Sequence, residues 1–401
     1  MRRHNLRTLL RHLHLQGPTT RTRLGTITGL TRSAVGDLVT ELTARELVSE
    51  SDEVAEFGRP RGRPSLLVAA RGDVARVLAV VIGDDTLRSA WVGLGGGVGS
   101  VTEIPHDYVV DDPRPSLEQL AALLRRQLAD AARPPLAIGV AVPGLVRATD
   151  GAVALAPRLG WRDVRLVDEL RRRIDLHAPL VTGNDSNLSA LAEHLRGAGR
   201  DHDHMIHLGS GLGVGGGIIL DGRLMQGGHP GYAGEVGHMV IGGGTLPCYC
   251  GGHGCWETQV AADAVFRHAG MTVTDGHGRK AALAELLVRS GRGEPGARAA
   301  VTALVPAIAA GIATLLSLFN PGRIILDGVF AHLLQHAEPE LRAAIAYRRP
   351  VLSNGPVDLV PAELGAQGPL LGAAEAAVDA FLAGLRTAST AASRATRDAD
   401  R

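Results

Sequence analysis

All three cysteines of this 401-residue chain stand in one short stretch, and a histidine precedes them: His238-x9-Cys248-x-Cys250-x4-Cys255. Three thiolates and one imidazole are the ligand set of a closed, four-coordinate structural zinc site. Gly251, Gly252 and Gly254 allow the tight turns that bring near neighbours onto one metal. A disulfide would leave one thiol over and give the histidine no role. The plainer alternative is three buried cysteines beside an unrelated histidine. The lack of any other cysteine weighs against it. No coordination position is left open, so the metal is expected to hold structure rather than do chemistry.

Composition sets the frame. A hydrophobic content of 45% with 21% charged residues is that of a folded chain, long enough for two or three domains. The formal net charge of +1 excludes a basic nucleic-acid coat, but the charge is uneven. Residues 1–71 hold twelve arginines and no lysine against seven carboxylates. A basic first module on a near-neutral body points to a nucleic-acid reader joined to something else. The arginines and histidines of Met1 to Gln16 do not fit a signal peptide. The longest apolar run, near Leu304 to Phe319, falls short of a membrane span. With metal-spaced thiols, a soluble cytoplasmic protein is expected.

The first module reads as helices. Leu6, Leu9, Leu10 and Leu13 share one face of a helix over 5–16, which Gly17-Pro18 ends. A short helix over 20–28 stops at Gly29. Thr31 caps a third helix, over 32–45, with Val35, Leu38, Val39 and Leu42 as its buried stripe. Two helices joined by a glycine turn make a helix-turn-helix whose second member enters the major groove. Its outward start offers Thr31, Arg32, Ser33, Gly36 and Asp37, with Arg32 able to reach a guanine edge. A wing follows. Arg59, Arg61 and Arg63 alternate with glycine and proline and suit a narrow minor groove, or a charged linker.

Beyond residue 70, strands and helices alternate in an α/β order. Gly209 to Gly217 reads as a packing turn, Thr258 to His268 as one helix, Ala297 to Phe319 as one long apolar helix, and Leu333 to Ala346 as mostly helical. Asn184-Asp185 lies between a strand and a helix, where it serves either as a cap or as a polar site.

The step Gly237-His238 and the later Cys-x-Cys-Gly-x-x-Gly-Cys-x-Glu of 248–257, with the glycine-rich run from Leu208 to Gly237, resemble the signature of the ROK family (repressors, open reading frames and sugar kinases). The resemblance implies a winged helix-turn-helix over 1–70. It implies a two-lobed, actin-like sugar kinase fold over 71–385, serving as effector and dimerisation domain. Residues 386–401 are left as a disordered tail. It also implies sugar contacts at Asn184, Asp185, Glu235, His238 and Glu257. In the family's kinases the acid at Asp185 is the general base, and the histidine at His238 also binds zinc. Arg158 stands where the family usually has an asparagine that helps bind sugar, so it changes the ligand or closes the pocket. The phosphate loop departs from the kinases. Val81 replaces an acid, and Asp84-Asp85 follows Gly83. Asp327 replaces a glycine near the adenosine. These changes speak against ATP binding, because carboxylates repel a triphosphate.

The expected function is a DNA-binding transcriptional regulator, a repressor of carbohydrate-related genes, modulated by a sugar or sugar derivative. It is expected to carry structural zinc, to form a homodimer or tetramer, and to bind an inverted-repeat operator. The alternatives are an ATP-dependent sugar kinase, with Asp185 as base, or a DNA-binding dimer that needs no ligand.

Overall fold

A computed structural model describes residues 1–51, 66–228, 231–273, 278–348 and 358–385. Its first elements are α1 (Arg2–Gln16), β1 (Thr19–Thr20), α2 (Arg21–Thr28), α3 (Arg32–Ala44), β2 (Val48–Ser51) and β3 (Leu67–Ala70). Leu6, Leu9, Leu10 and Leu13 are buried on α1, and Val35, Leu38, Val39 and Leu42 on α3, as the periodicity predicts. Gly29 closes α2 in the left-handed conformation at φ 68° and donates its N–H to Gly25. The Thr31 hydroxyl accepts the N–H of Ala34 at 3.3 Å and caps α3. β3 pairs antiparallel with both β1 and β2. This is a winged helix-turn-helix; Arg59, Arg61 and Arg63 lie outside the described residues.

The body has two lobes with one strand plan. The first lobe runs β4 (Arg76–Ile82), β5 (Thr86–Gly93), β6 (Thr102–Pro105), α4 (Arg114–Ala129), β7 (Ile138–Val142), β8 (Leu145–Val146), β9 (Val153–Ala156), β10 (Trp161–Val164), α5 (Leu166–Arg173) and β11 (Leu180–Asn184). The second follows α6 (Asp185–Arg196) with β12 (Met205–Ser210), β13 (Val214–Leu220), β14 (Arg223–Leu224), α7 (Glu257–Val260), α8 (Ala262–His268), α9 (Arg279–Gly291), α10 (Pro295–Thr302), α11 (Val305–Phe319), β15 (Arg323–Gly328), α12 (Val329–His336), α13 (Glu338–Arg348) and β16 (Leu359–Pro361). α14 (Gly368–Gly384) then returns to the first lobe. The sheets are ordered β6-β5-β4-β7-β11 and β14-β13-β12-β15-β16, an antiparallel meander extended on one side by parallel strands. β8, β9 and β10 form a separate small sheet.

Each face of the first sheet has its own core. Leu78, Val80, Ile138 and Val140 pack towards α4 and α5. Val77, Ala79 and Ala141 pack towards α14, in a cluster that also takes in Leu6, Leu9, Leu13 and Val39 of the winged helix. The N-terminal module therefore shares one apolar core with the body.

Four expectations are corrected. The glycine run is a turn only around Gly211 to Gly213; Gly209 and Ser210 end β12, and Val214 to Gly217 begin β13. A Cβ on Gly215 would lie 1.9 Å from the Ser186 hydroxyl, and one on Gly217 2.4 Å from the Ala190 methyl. Those glycines let α6 lie directly on the strand. The expected helix over 297–319 is two, α10 and α11. Pro306 has no N–H to give to Thr302 and its ring crowds that carbonyl, so the chain breaks at Ala303-Leu304. Most of this apolar stretch is buried. The helix over 258–268 breaks at Ala261, which is extended at φ −95°, ψ −172°. The helix over 333–346 is the end of α12 and most of α13, separated at Ala337.

Candidate functional site

Between the lobes lies a cleft of about 400 Å³, and it brings together Arg158, Asn184, Asp185, Glu235, His238 and Glu257. β11 delivers Asn184, whose side-chain oxygen accepts the N–H groups of Ser186 at 3.0 Å and Asn187 at 2.9 Å. Its amide nitrogen donates to the Gly144 carbonyl at 2.9 Å. Asn184 is thus the cap of α6 as well as a wall of the cleft. One amide hydrogen is left over for a ligand. Asp185 opens α6 and holds the Ser186 N–H at 2.8 Å with one oxygen. Burial, with the carboxylate of Asp84 adding to it, raises Asp185 to about 6. Burial, then Asp185 and Glu257, raise Glu235 to about 7. The cleft thus holds carboxyl groups that titrate near neutrality and can either donate or accept.

Glu257 ties the cleft to the cysteine loop. One carboxylate oxygen accepts the Cys248 thiol at 2.8 Å, and the other accepts the Val214 N–H at 3.4 Å. Arg158 donates to the Leu212 carbonyl, and its guanidinium lies 4.9 Å from the ring centre of Tyr249. It stands between the cleft and a neighbouring chamber of about 370 Å³, and it lines both.

The ligand atoms of His238, Cys248, Cys250 and Cys255 all lie within 4.8 Å of one another. Cys250 and Cys255 sulfurs are 3.7 Å apart, and Cys248 Sγ is 3.7 Å from His238 Nδ1. Ligands arranged tetrahedrally about a metal at ~2.3 Å are separated by about 3.7 Å, so the donors fit zinc. A disulfide would need sulfurs ~2 Å apart. The N–H groups of Cys250 and Gly252 point at the sulfurs of Cys248 and Cys250, at 3.5 and 3.4 Å, and favour thiolates. His238 faces the cysteines with Nδ1, which leaves Nε2 for the cleft it also lines. No second group of this kind occurs among the described residues.

Asp84 and Asp327 line the same cleft. Asp327 accepts the N–H of Gly328 at 2.7 Å. Gly328 has φ 61°, and a Cβ there would lie 1.9 Å from the Ser210 carbonyl. The sequence reading missed two walls of this cleft, His207 and Tyr249. Tyr249 carried a signal, since a residue between two cysteines that turn onto one metal must point away from it. His207 carried none. It is an ordinary strand position until β12 is set beside β15.

On the winged helix, Thr31, Arg32, Ser33 and Asp37 are exposed, and Gly36 is half-buried. They form the outward start of α3. Arg21, just before them in space, is locked onto Glu50 of β2 by a two-pronged pair.

A family model described as the ROK family matches residues 77–380. The xylose repressor of Bacillus subtilis (strain 168) is 24% identical over 381 residues, covering 94% of this chain and 96% of the repressor. The glucokinase of Streptomyces coelicolor is 32% identical over 262 residues, covering 60% of this chain and 80% of the enzyme. Among solved structures, a ROK family transcriptional regulator described as a homolog of the E. coli MLC protein matches with TM-score 0.77. It has 24% identity and covers 95% of this chain and 98% of that one. A ROK family glucokinase from Streptomyces griseus, solved with glucose and AMPPNP, matches with TM-score 0.65. It has 26% identity and covers 76% of this chain and 100% of the enzyme.

Proposed function

The chain belongs to the ROK family, and from that premise we propose that it is a sugar-responsive transcriptional repressor whose two-lobed body senses a sugar or sugar derivative and governs the DNA affinity of its winged helix. One observation carries the reading. The winged helix and a cleft with the polar groups of a sugar site are built into one molecule through a common core. The repressor relative aligns along nearly the whole chain, whereas the glucokinase aligns over 60% of it.

In this reading Asn184, Asp185, Glu235, His238 and Glu257 hold the sugar's hydroxyls. Arg158 sets which derivatives enter. Zinc, held by His238, Cys248, Cys250 and Cys255, has no open position and supplies rigidity alone. The loop fixes the His238 ring for a hydrogen bond from its free nitrogen. Glu257 follows the ligand Cys255 by two residues, which sets its carboxylate at the cleft wall. Arg32 and Ser33 read base edges, and Arg59, Arg61 and Arg63 add contacts to the backbone or minor groove. Paired copies of the chain read the two halves of an inverted repeat.

The second reading, a sugar kinase, is favoured by Asp185 at the start of α6. Charge weighs against it. Phosphoryl transfer needs the triphosphate and Mg²⁺ positioned beside the base, and Asp84 and Asp327 add carboxylates to the same cleft, which repel a triphosphate. The test is direct. The purified protein, its preferred duplex selected from a random pool, is titrated with DNA in the presence and absence of millimolar D-xylose and D-glucose. The repressor reading expects a sugar-dependent change in affinity and no consumption of ATP. ATP turnover with either sugar that is lost in Asp185→Asn would make it a kinase.

A further inference from the structure

α6 touches both ends of the problem. Its first turn belongs to the cleft, with Asn184 as its cap and Asp185 as its first residue. Its last residue, Arg196, lies about 17 Å away along the axis, eleven residues at 1.5 Å each. There Arg196 meets the winged helix. Its Nε lies 2.5 Å from one oxygen of Glu375 on α14, and Glu375's other oxygen is 2.9 Å from His14 Nε2 on α1. His14 and Glu375 have side chains only 2% and 3% exposed.

The proton positions follow from the partners. The N–H of Gly95 points at His14 Nδ1 at 2.9 Å, so that nitrogen accepts. The ring proton is then on Nε2, directed at Glu375. Arg196 Nη2 also lies 2.7 Å from Nε2, an approach of two donors that opposes the rest of the cluster. Its guanidinium is held instead by Glu375 and by the carbonyls of Gly95 and His14, at 3.4 and 3.5 Å. The carboxylate of Glu375 sits below its usual range. Burial opposes this, and the bond from His14 and the charge of Arg196 overcome it.

We infer that Arg196 positions the winged helix on the body and passes to it the state of the ligand cleft. Three observations support this. First, α1 has other ties to α14, Arg11 to Asp379 and Arg7 to the Ala383 carbonyl, but these are more exposed. Exposed pairs contribute little, whereas loss of one partner from a buried set leaves a charge uncompensated. Second, α6 is clamped over its first half, the part at the cleft, by backbone-close contacts. A Cβ on Gly372 of α14 would lie 1.9 Å from the Leu188 carbonyl, and Gly215 and Gly217 of β13 approach its other side. A stiff rod so held moves as a unit. Third, it packs on a strand of the second lobe and a helix of the first, so any change in lobe angle must displace it relative to one of them. Arg196 is a positioning residue, and it touches neither ligand nor DNA in this scheme.

The ligand arm of the test rests on the sugar-sensing reading above; the other arm does not. Full-length Arg196→Met is compared with wild type by hydrogen exchange. Amides of residues 2–16 should exchange about tenfold faster or more, with those of β12 and β15 unchanged. Arg196→Lys keeps the charge without the fork and should fall between; it also stands in if the methionine variant fails to fold. In the second arm, affinity for the selected duplex is measured with and without D-xylose and D-glucose. Arg196→Met should bind the effective sugar as wild type does, yet lose the sugar-dependent change in DNA affinity. Unchanged protection of α1, or a full sugar response in Arg196→Met, overturns the inference. If neither sugar alters DNA binding by wild type, the sensing reading fails, and the exchange arm alone decides the role of Arg196.

Discussion

Arg32 and Asp185 are opposite uses of charge. Arg32 stays in water at the start of α3, ready for a partner. Replacing it by alanine should cost about 1–3 kcal/mol at one base position in each half-site and relax the preference there. Binding of the variant to a panel of single-base operator changes checks this; an unchanged preference would mean that another residue reads that base. Asp185 is held partly out of water, and its acid form survives to about pH 6 in the fold, against 3.8 for the unperturbed group. The sign follows. Between those values the folded protein holds a proton that the unfolded chain has released, so this residue's contribution is fullest below pH 4 and is lost as pH rises through 6. Asp185→Asn should therefore gain on wild type, on the order of 1–3 kcal/mol, as pH goes from 5 to 8. Paired thermal melts across that range measure it, and a constant gap between the two proteins would contradict it.

At the scale of elements, the cysteine loop is the part whose removal should be felt twice. Cys250→Ser, or stripping the metal with a chelator, should lower the melting temperature and weaken sugar binding together. The loop carries Tyr249, and its last ligand, Cys255, stands two residues before Glu257 of the cleft wall. Loss of a direct ligand should weaken metal binding by more than the roughly 10–100-fold that loss of an outer-shell partner costs. Metal analysis beside a sugar titration separates the outcomes; a variant free of metal that binds sugar unchanged would refute the coupling. This loop was legible because its chemistry is local. The helices of the winged module were legible for a similar reason, since caps at Thr31 and Gly29 and leucines at helical spacing are written within a few residues. β13 was not. Glycine lowers the strand signal, and the reason for Gly215 and Gly217 is a helix that precedes them by some thirty positions and packs across them. The break before α11 was written locally in Pro306, but the apolar run hid it. The contacts of His14 with Glu375 and Arg196 have no sequence signal at all, being 361 and 182 residues apart.

For the whole molecule, the two lobes repeat one strand order, yet the last helix leaves its own lobe and covers the first. α14 fills the face of the first sheet that the winged helix also uses, with Ala373, Ala374, Ala377 and Leu382 in their common core. A protein ending at Gln367 should thus lose more than a C-terminal helix. Its winged helix should become protease-sensitive and unable to bind the selected duplex, although every residue that would touch DNA is present. Limited trypsin digestion checks this, and full protection of residues 1–51 would count against it. The same arrangement places a clock on synthesis. A ribosome adding 5–20 residues per second needs roughly 15–60 s to go from the end of the DNA-reading module to the end of α14. Through that interval the nascent chain holds a reading head with one side bare. On that expectation the winged helix is completed only by the last helix to be made, and a truncated translation product should not compete with the finished protein for the selected duplex.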